Sequence, residues 1–357
     1  MAGIREYIQW RGDILCDVSP FNDADYYVIS KIGCPDLSGI VPADSSSVSV
    51  EKCVSSFFDR NHRAVSLGAL TSKEVLNTFR MLPGIPRYSS IALTGFRSIF
   101  SNLREEQFSA LTLLLPDGTC FVSFRGTDDT LIAWKEDLQM GAMDVIPAQQ
   151  DALAYLEWAA GAFDGPLIIG GHSKGGNLAV YAASMVSSDI RSRIRSVYSF
   201  DGPGFRGDFF DRQGYREIVD RIHEIVPETS IVGTLLLKGK PYEVVKCRYS
   251  GIQSHDGFKW ETGPSGFLPA SSLTDTSIAL DEAMDKLLSE MSAQEVNSFI
   301  EELFGVLEEN GVHTITDLAD KRLIGNILLT RRLIKGRQIR ELSGRLIENT
   351  VRCLIRK

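Results

Sequence analysis

Leu167-Ile168-Ile169-Gly170-Gly171-His172-Ser173-Lys174-Gly175-Gly176-Asn177-Leu178-Ala179-Val180-Tyr181-Ala182-Ala183 is the stretch on which the fold turns. Its opening residues form a short apolar run that suits a buried parallel strand. Its closing residues are a run of strong helix formers. Between them lies Gly171-His172-Ser173-Lys174-Gly175, a G-x-S-x-G pattern. The pentapeptide gains meaning from strand–turn–helix context, the structural test for a nucleophile elbow. A serine on such a strained turn needs small neighbours where strand and helix backbones crowd, and Gly170, Gly171, Gly175 and Gly176 supply them. The helix start behind Ser173 favours developing negative charge. Neither G-x-x-x-x-G-K-[ST] nor G-x-G-x-x-G occurs here, which argues against a phosphate-binding loop.

Working outward, the same alternation continues. Residues 111–115 and 120–124 read as a hairpin across Pro116-Asp117-Gly118. A helix is expected over 148–162, with Leu153, Leu156 and Ala160 at helical spacing. Residues 196–200 and 222–226 read as strands, with a helix around 215–220 between them. Residues 235–237 and 242–246 are expected to pair as a hairpin across Gly239. Strands alternating with helices imply a mostly parallel sheet with helices on both faces. Upstream, Pro20, Gly33, Pro35, Gly39 and Pro42 punctuate short apolar runs such as Tyr26-Tyr27-Val28-Ile29. A helix is expected over 72–81 with Ser72 as N-cap. Beyond Thr276 the pattern is helical only, over 278–291, 294–308 and 315–329. We expect an α/β domain over 1–275, with 1–105 packing on and covering the sheet. A helical extension with a basic tail occupies 276–357.

A serine hydroxyl needs a base, and histidine is the usual one. Of five histidines, His172 is adjacent to Ser173 and should point away from it. His62 precedes the serine, His223 falls within a strand, and His313 precedes a late helix. His255, in the polar loop Gln253-Ser254-His255-Asp256-Gly257, follows the last expected strand pair, where the order Ser…acid…His puts the base. Two acids fit that order. Asp201 follows one strand in Phe200-Asp201-Gly202-Pro203-Gly204, and Glu228 follows the next. Asp201 is preferred because it is shorter and flanked by glycines at the sheet's carboxyl edge; Glu228 stays as the alternative. An oxyanion needs two donors. The backbone N–H of Lys174 is one, and Thr127 in Phe124-Arg125-Gly126-Thr127-Asp128 offers an N–H and a hydroxyl.

These residues together carry a resemblance. Phe124-Arg125-Gly126-Thr127, with Trp134 and Asp137, resembles the F-R-G-[ST]…W…D segment of class 3 lipases. Gly171–Gly175 followed by Asn177-Leu178-Ala179 resembles their elbow. More closely, the chain resembles a bacterial family of uncharacterised α/β-hydrolases related to those lipases. The matching segments are Arg11-Gly12-Asp13, Pro20-Phe21-Asn22, residues 199–205, Ser230-Ile231-Val232-Gly233, and residues 253–256 with Trp260. The resemblance spans roughly 8–262. It implies an α/β-hydrolase fold, a Ser173–Asp201–His255 triad and Thr127 at the oxyanion position. Class 3 lipases place the acid after the strand that here ends near Pro227, where only Glu228 is available. The Asp201 segment is more similar to the L-D-P-A-G-P segment of pancreatic-type lipases.

The expectation is therefore a serine esterase or lipase-like hydrolase acting on a lipid or other acyl ester, without metal or organic cofactor. A hydrolase-fold binding or scaffolding protein without turnover is the alternative, and acyl transfer is a third outcome. The net charge of -8 gives no global attraction to nucleic acid. The tail from Lys321 to Lys357 is locally basic, with apolar residues interspersed, and offers either a solvated helix face or peripheral membrane contact. Six scattered cysteines form no CxxC pair and no zinc spacing. No apolar run approaches the roughly 18 residues of a membrane span. Residues 1–11 lack the apolar core of a secretory signal, so a cytoplasmic location is expected.

Overall fold

The computed structural model describes residues 2–61, 65, 67, 72–128, 130–289, 291–314 and 317. His62, the helix expected over 315–329, the basic tail and Cys353 lie outside the described residues. The N-terminal part carries α1 (Ile4–Arg11), α2 (Asp23–Ser30), β1 (Ser47–Ser49), α3 (Val50–Arg60), α4 (Lys73–Met81), α5 (Pro86–Ser89) and β2 (Ala92–Ser101). Next come β3 (Glu106–Leu114), β4 (Cys120–Phe124), α6 (Leu131–Gln139), α7 (Pro147–Ala162), β5 (Leu167–His172), α8 (Lys174–Met185), α9 (Ser188–Arg193) and β6 (Ile194–Phe200). The remainder is α10 (Gln213–Ile218), β7 (Ile222–Pro227), β8 (Glu243–Val245), β9 (Thr262–Gly263), β10 (Gly266–Phe267), α11 (Asp275–Ser289) and α12 (Ala293–Glu309).

Among the described residues eight strands form one sheet in the order β1 to β8. Strands β1 to β4 pair antiparallel, and β4 to β8 pair parallel. Strand order follows chain order, so successive right-handed crossovers place α7, α8 and α10 on one face. The residues obey this. Val122, Ile169 and Val197 pack with α7, α8 and α10, while Phe121, Ile168, Tyr198 and Ile225 pack with α1, α2 and α3. Alternation along each strand thus feeds two cores, one per face. This is an α/β-hydrolase-like sheet with helices packed against it.

Strands β1 and β2 are part of the sheet, so the first 105 residues do more than cover it. Gly95, at φ 67°, sits in a bulge that shifts the β2–β3 register between Thr94 and Arg97. The bulge breaks the period-two pattern that would have marked β2 as a strand. The run Tyr26-Tyr27-Val28-Ile29 is helical. Asn22 accepts from the N–H groups of Ala24 and Asp25 at its start, and Asp25 answers by accepting from the Asn22 N–H at 2.9 Å. The carboxylate of Asp25, fully buried, also accepts from Tyr7 (2.9 Å), Tyr88 (2.6 Å) and the fully buried guanidinium of Arg87 (2.6 Å). This satisfied pair locks α1, α2 and α5 together.

The hairpin expected across Gly239 does not form. Leu237 bridges Phe205 instead, and β8 adds in parallel to the open edge of β7. The Gly204 and Phe205 N–H groups take the Leu235 and Leu237 carbonyls at 2.7 and 2.9 Å. Two non-local partners therefore outcompete the local one. The late helices pack on the body: Val296, Ile300, Leu303 and Phe304 of α12 share a core with Leu131 of α6. Lys135 of α6 bridges Glu105 and Glu301 at 2.5 and 2.8 Å. Among the described residues no helix is long and apolar enough to cross a membrane.

Candidate active site

The parallel strands deliver their following residues to one edge, as open α/β sheets do. Arg125-Gly126-Thr127 leaves β4, Ser173 leaves β5, Asp201 leaves β6 and Glu228 leaves β7. His255 arrives from a short 3-10 turn, Gly251–His255, after β8. Ser173 holds φ 59° and ψ -133°, a conformation costly for any residue with a side chain. It is held there from both sides. Its N–H donates to the Phe200 carbonyl at 3.0 Å, and its carbonyl accepts from the Gly176 N–H at 2.9 Å. A side chain on Gly175 would fall 2.1 Å from the Phe124 carbonyl oxygen, and one on Gly126 would fall 2.5 Å from that of His172. These glycines let the β4 loop lie directly against the serine turn.

Asp201 is also strained, at φ 50°, and its N–H donates to the Ile225 carbonyl at 2.8 Å. Its carboxylate is fully buried and meets His255 Nδ1 at 2.6 Å through Oδ2. A carboxylate accepts only, so Nδ1 carries the proton and Nε2 presents its lone pair. The other oxygen, Oδ1, accepts from the Ser230 hydroxyl at 2.5 Å and the Gly233 N–H at 3.1 Å. Glu228 is taken elsewhere and accepts from the Cys247 N–H at 3.0 Å. His172 reaches the same cavity. Its Nε2 donates to the His255 carbonyl at 2.6 Å, and the two rings lie 4.4 Å apart. Burial, with Lys31 and His255 nearby, holds His172 well below the ordinary imidazole range, so it stays neutral. The Trp260 indole N–H donates to the Ser254 carbonyl at 2.7 Å and pins the histidine loop from beneath. Among the described residues no hydrogen bond joins the Ser173 hydroxyl to the His255 ring, although both line the cavity. Such a bond commonly tightens only when substrate binds.

On the opposite side of Ser173, Lys174 begins α8, where first-turn N–H groups have no helical acceptor. Its side chain runs into the interior. The ammonium, fully buried, donates to Glu136 (2.8 Å), the Gln107 carbonyl (2.7 Å) and the Gln107 side chain (3.1 Å). Glu136 also accepts from the Ala148 N–H at 3.0 Å. The Thr127 hydroxyl donates to Asp137 in a short contact. That commits its proton to the carboxylate, so the hydroxyl has none left to donate elsewhere. Burial pushes the Asp137 carboxyl up to about 6.

Around Ser173 opens a cavity of about 550 Å³, within the range of about 300–1,000 Å³ for ligand sites. Thr127, Lys174 and His255 line it together with apolar Trp134, Leu138, Leu236 and Met284. Several contributors left little trace in the sequence. Ser230 and Gly233 fall in a segment that carried the family resemblance, without a role attached. Glu136 and Gln107 gave no local signal, because they meet Lys174 from 38 and 67 residues away.

A search of curated proteins returns no match. A family model described as Mbeg1-like matches residues 82–305. The matched span covers the site residues from Gln107 to Met284, with Lys31 lying before it, and runs on through α11 into α12. The chain belongs to the Mbeg1-like family.

Proposed function

We propose that this protein is a serine hydrolase cleaving a carboxylic ester, of a lipid or another acyl compound, through an acyl-enzyme on Ser173. The contact that carries this assignment is the 2.6 Å bond from His255 Nδ1 to a buried Asp201, in the wall of the cavity that Ser173 also lines. Ser173 Oγ attacks the acyl carbon while His255 Nε2 takes its proton. Asp201 holds the imidazole in the accepting tautomer and stabilises the imidazolium that forms. The N–H groups of Lys174 and Thr127 receive the oxyanion. His255 then protonates the leaving alkoxide, and the alcohol departs. Water, deprotonated by the same nitrogen, cleaves the acyl-serine and returns the acid and free Ser173. The apolar walls suit an acyl chain, and exclusion of water from them would divert the acyl group to another alcohol.

A fluorophosphonate probe tests the assignment. It should label folded protein at Ser173, found by peptide mass, and Ser173→Ala should abolish both labelling and turnover of a p-nitrophenyl ester series. Folded protein that neither takes the label nor cleaves any ester in the series would instead be a binding protein on a hydrolase fold.

A further inference from the structure

We infer that the cavity beside Ser173 binds an anionic group of its ligand, a carboxylate or a phosphate, on the ammonium of Lys31. As a statement about substrate, this rests on the hydrolase assignment above; as a statement about binding, it does not.

Four Lys and Arg side chains line the cavity among the described residues, and three of them have partners. Arg60 donates to the carbonyls of Ser38 (2.6 Å) and Asp36 (3.0 Å). Lys174 is consumed by Glu136. Arg125 reaches Asp128 at 3.6 Å and the Cys34 carbonyl at 3.5 Å, while its Nε is buried without a partner. The Lys31 ammonium has neither a hydrogen-bond nor an ion-pair partner among the described residues; only the residue's backbone bonds, to Val28 and Cys34. Its ammonium lies 5.2 Å from the ring centroid of Tyr27, which packs edge-on against His172.

A partly buried ammonium with no anion in hydrogen-bond reach is unfavourable. Burial accordingly draws the Lys31 pKa down, against the pull of Cys34 and Asp256. Lys31 is also the C-cap of α2, where a cation complements the helix dipole. That role asks only for a charge near the helix end and leaves the ammonium's hydrogen-bonding capacity unused. The Cys34 N–H donates to the Lys31 carbonyl at 3.1 Å, and the Cys34 carbonyl accepts from Arg125 at 3.5 Å. Lys31 lines the same cavity as Ser173 and His255, and Tyr27, which its ammonium faces, packs against His172 beside the serine. A ligand with an apolar chain against Trp134 and Leu138 and an anionic group on Lys31 would use both surfaces of the cavity.

Calorimetric titration of the Ser173→Ala protein with octanol, octanoate and octyl phosphate tests this without turnover. At least one anion should bind about tenfold tighter than octanol, as charge-assisted bonds to a desolvated cation require. Lys31→Met should erase that difference and leave octanol within about twofold, while Lys31→Arg should keep it. The ratio of octanoate to octyl phosphate identifies which anion the site takes. Anions that bind no tighter than octanol, or a Lys31→Met protein that loses all three probes equally, would overturn the inference. Fluorophosphonate labelling of the Ser173 protein separates the two failures. A labelled protein with no anion preference keeps the hydrolase and removes the subsite. An unlabelled protein whose anion preference depends on Lys31 does the reverse.

Discussion

Asp201 and Glu228 end adjacent strands with the same charge, yet one touches His255 and the other a backbone N–H. The difference lies in backbone, not in acidity. Asp201 sits at φ 50° with Gly233 close behind, and a side chain on Gly233 would stand 2.2 Å from Asp201 Oδ1. That arrangement turns a short carboxylate toward the histidine loop. Asp201→Asn should therefore lower kcat by about 10⁴-fold, because an amide can present N–H to Nδ1 and favour the wrong tautomer. Glu228→Gln should leave kcat within a few-fold and cost about 1 kcal/mol of stability through its weakened bond to Cys247. Steady-state kinetics on a p-nitrophenyl ester decide between them; the opposite ranking would move the acid to Glu228. Chain order alone had left both residues eligible. His172 shows the same limit. Its place next to Ser173 on a tight turn pointed it away from the serine, and only the fold brings its ring against His255.

At the scale of elements, α8 joins the serine turn to the interior through Lys174. The ion pair with Glu136 ties the first residue of α8 to α6 and, through Gln107, to β3. Glu136→Ala leaves a buried ammonium without its anion and should destabilise the protein by about 3–5 kcal/mol. Replacing both partners, as Lys174→Met with Glu136→Leu, should recover most of that loss, since the desolvation cost of both charges disappears. Urea unfolding measures both variants. A loss under about 1 kcal/mol for Glu136→Ala would mean the pair is no better than a surface one. The same network explains why β3 begins earlier than its apolar run. Gln107 is a buried polar residue at a strand start, and nothing local announces that its partners, Glu136 and Lys174, lie on α6 and α8.

For the molecule as a whole, one buried acid leaves a mark on stability. Glu106 is fully buried, 3.1 Å from Arg104, and burial together with Asp151 raises its carboxyl to about 8. The folded chain thus holds a proton that the unfolded chain releases near the ordinary value of 4.5. The associated stability is complete below that value and drains away as pH rises through about 8. Glu106→Gln mimics the protonated form. Its melting temperature should match the wild type at pH 5 and exceed it by several degrees at pH 9, at about 2 °C or more per kcal/mol. Equal melting temperatures across that range would show that Glu106 ionises in the fold without penalty.

Local pattern by itself determined the strand–turn–helix unit at Ser173, the β3–β4 hairpin, the helices over α4, α7, α11 and α12, and the parallel character of the sheet. Each of these is set by spacing and turn chemistry within a few residues. Tertiary structure alone decided which acid meets His255, where Leu237 and β8 find their partners, that β1 and β2 join the sheet, and that Lys174 and Lys31 meet opposite fates. Those outcomes depend on contacts between distant segments, where burial and unsatisfied polar groups, rather than local propensity, choose the partner.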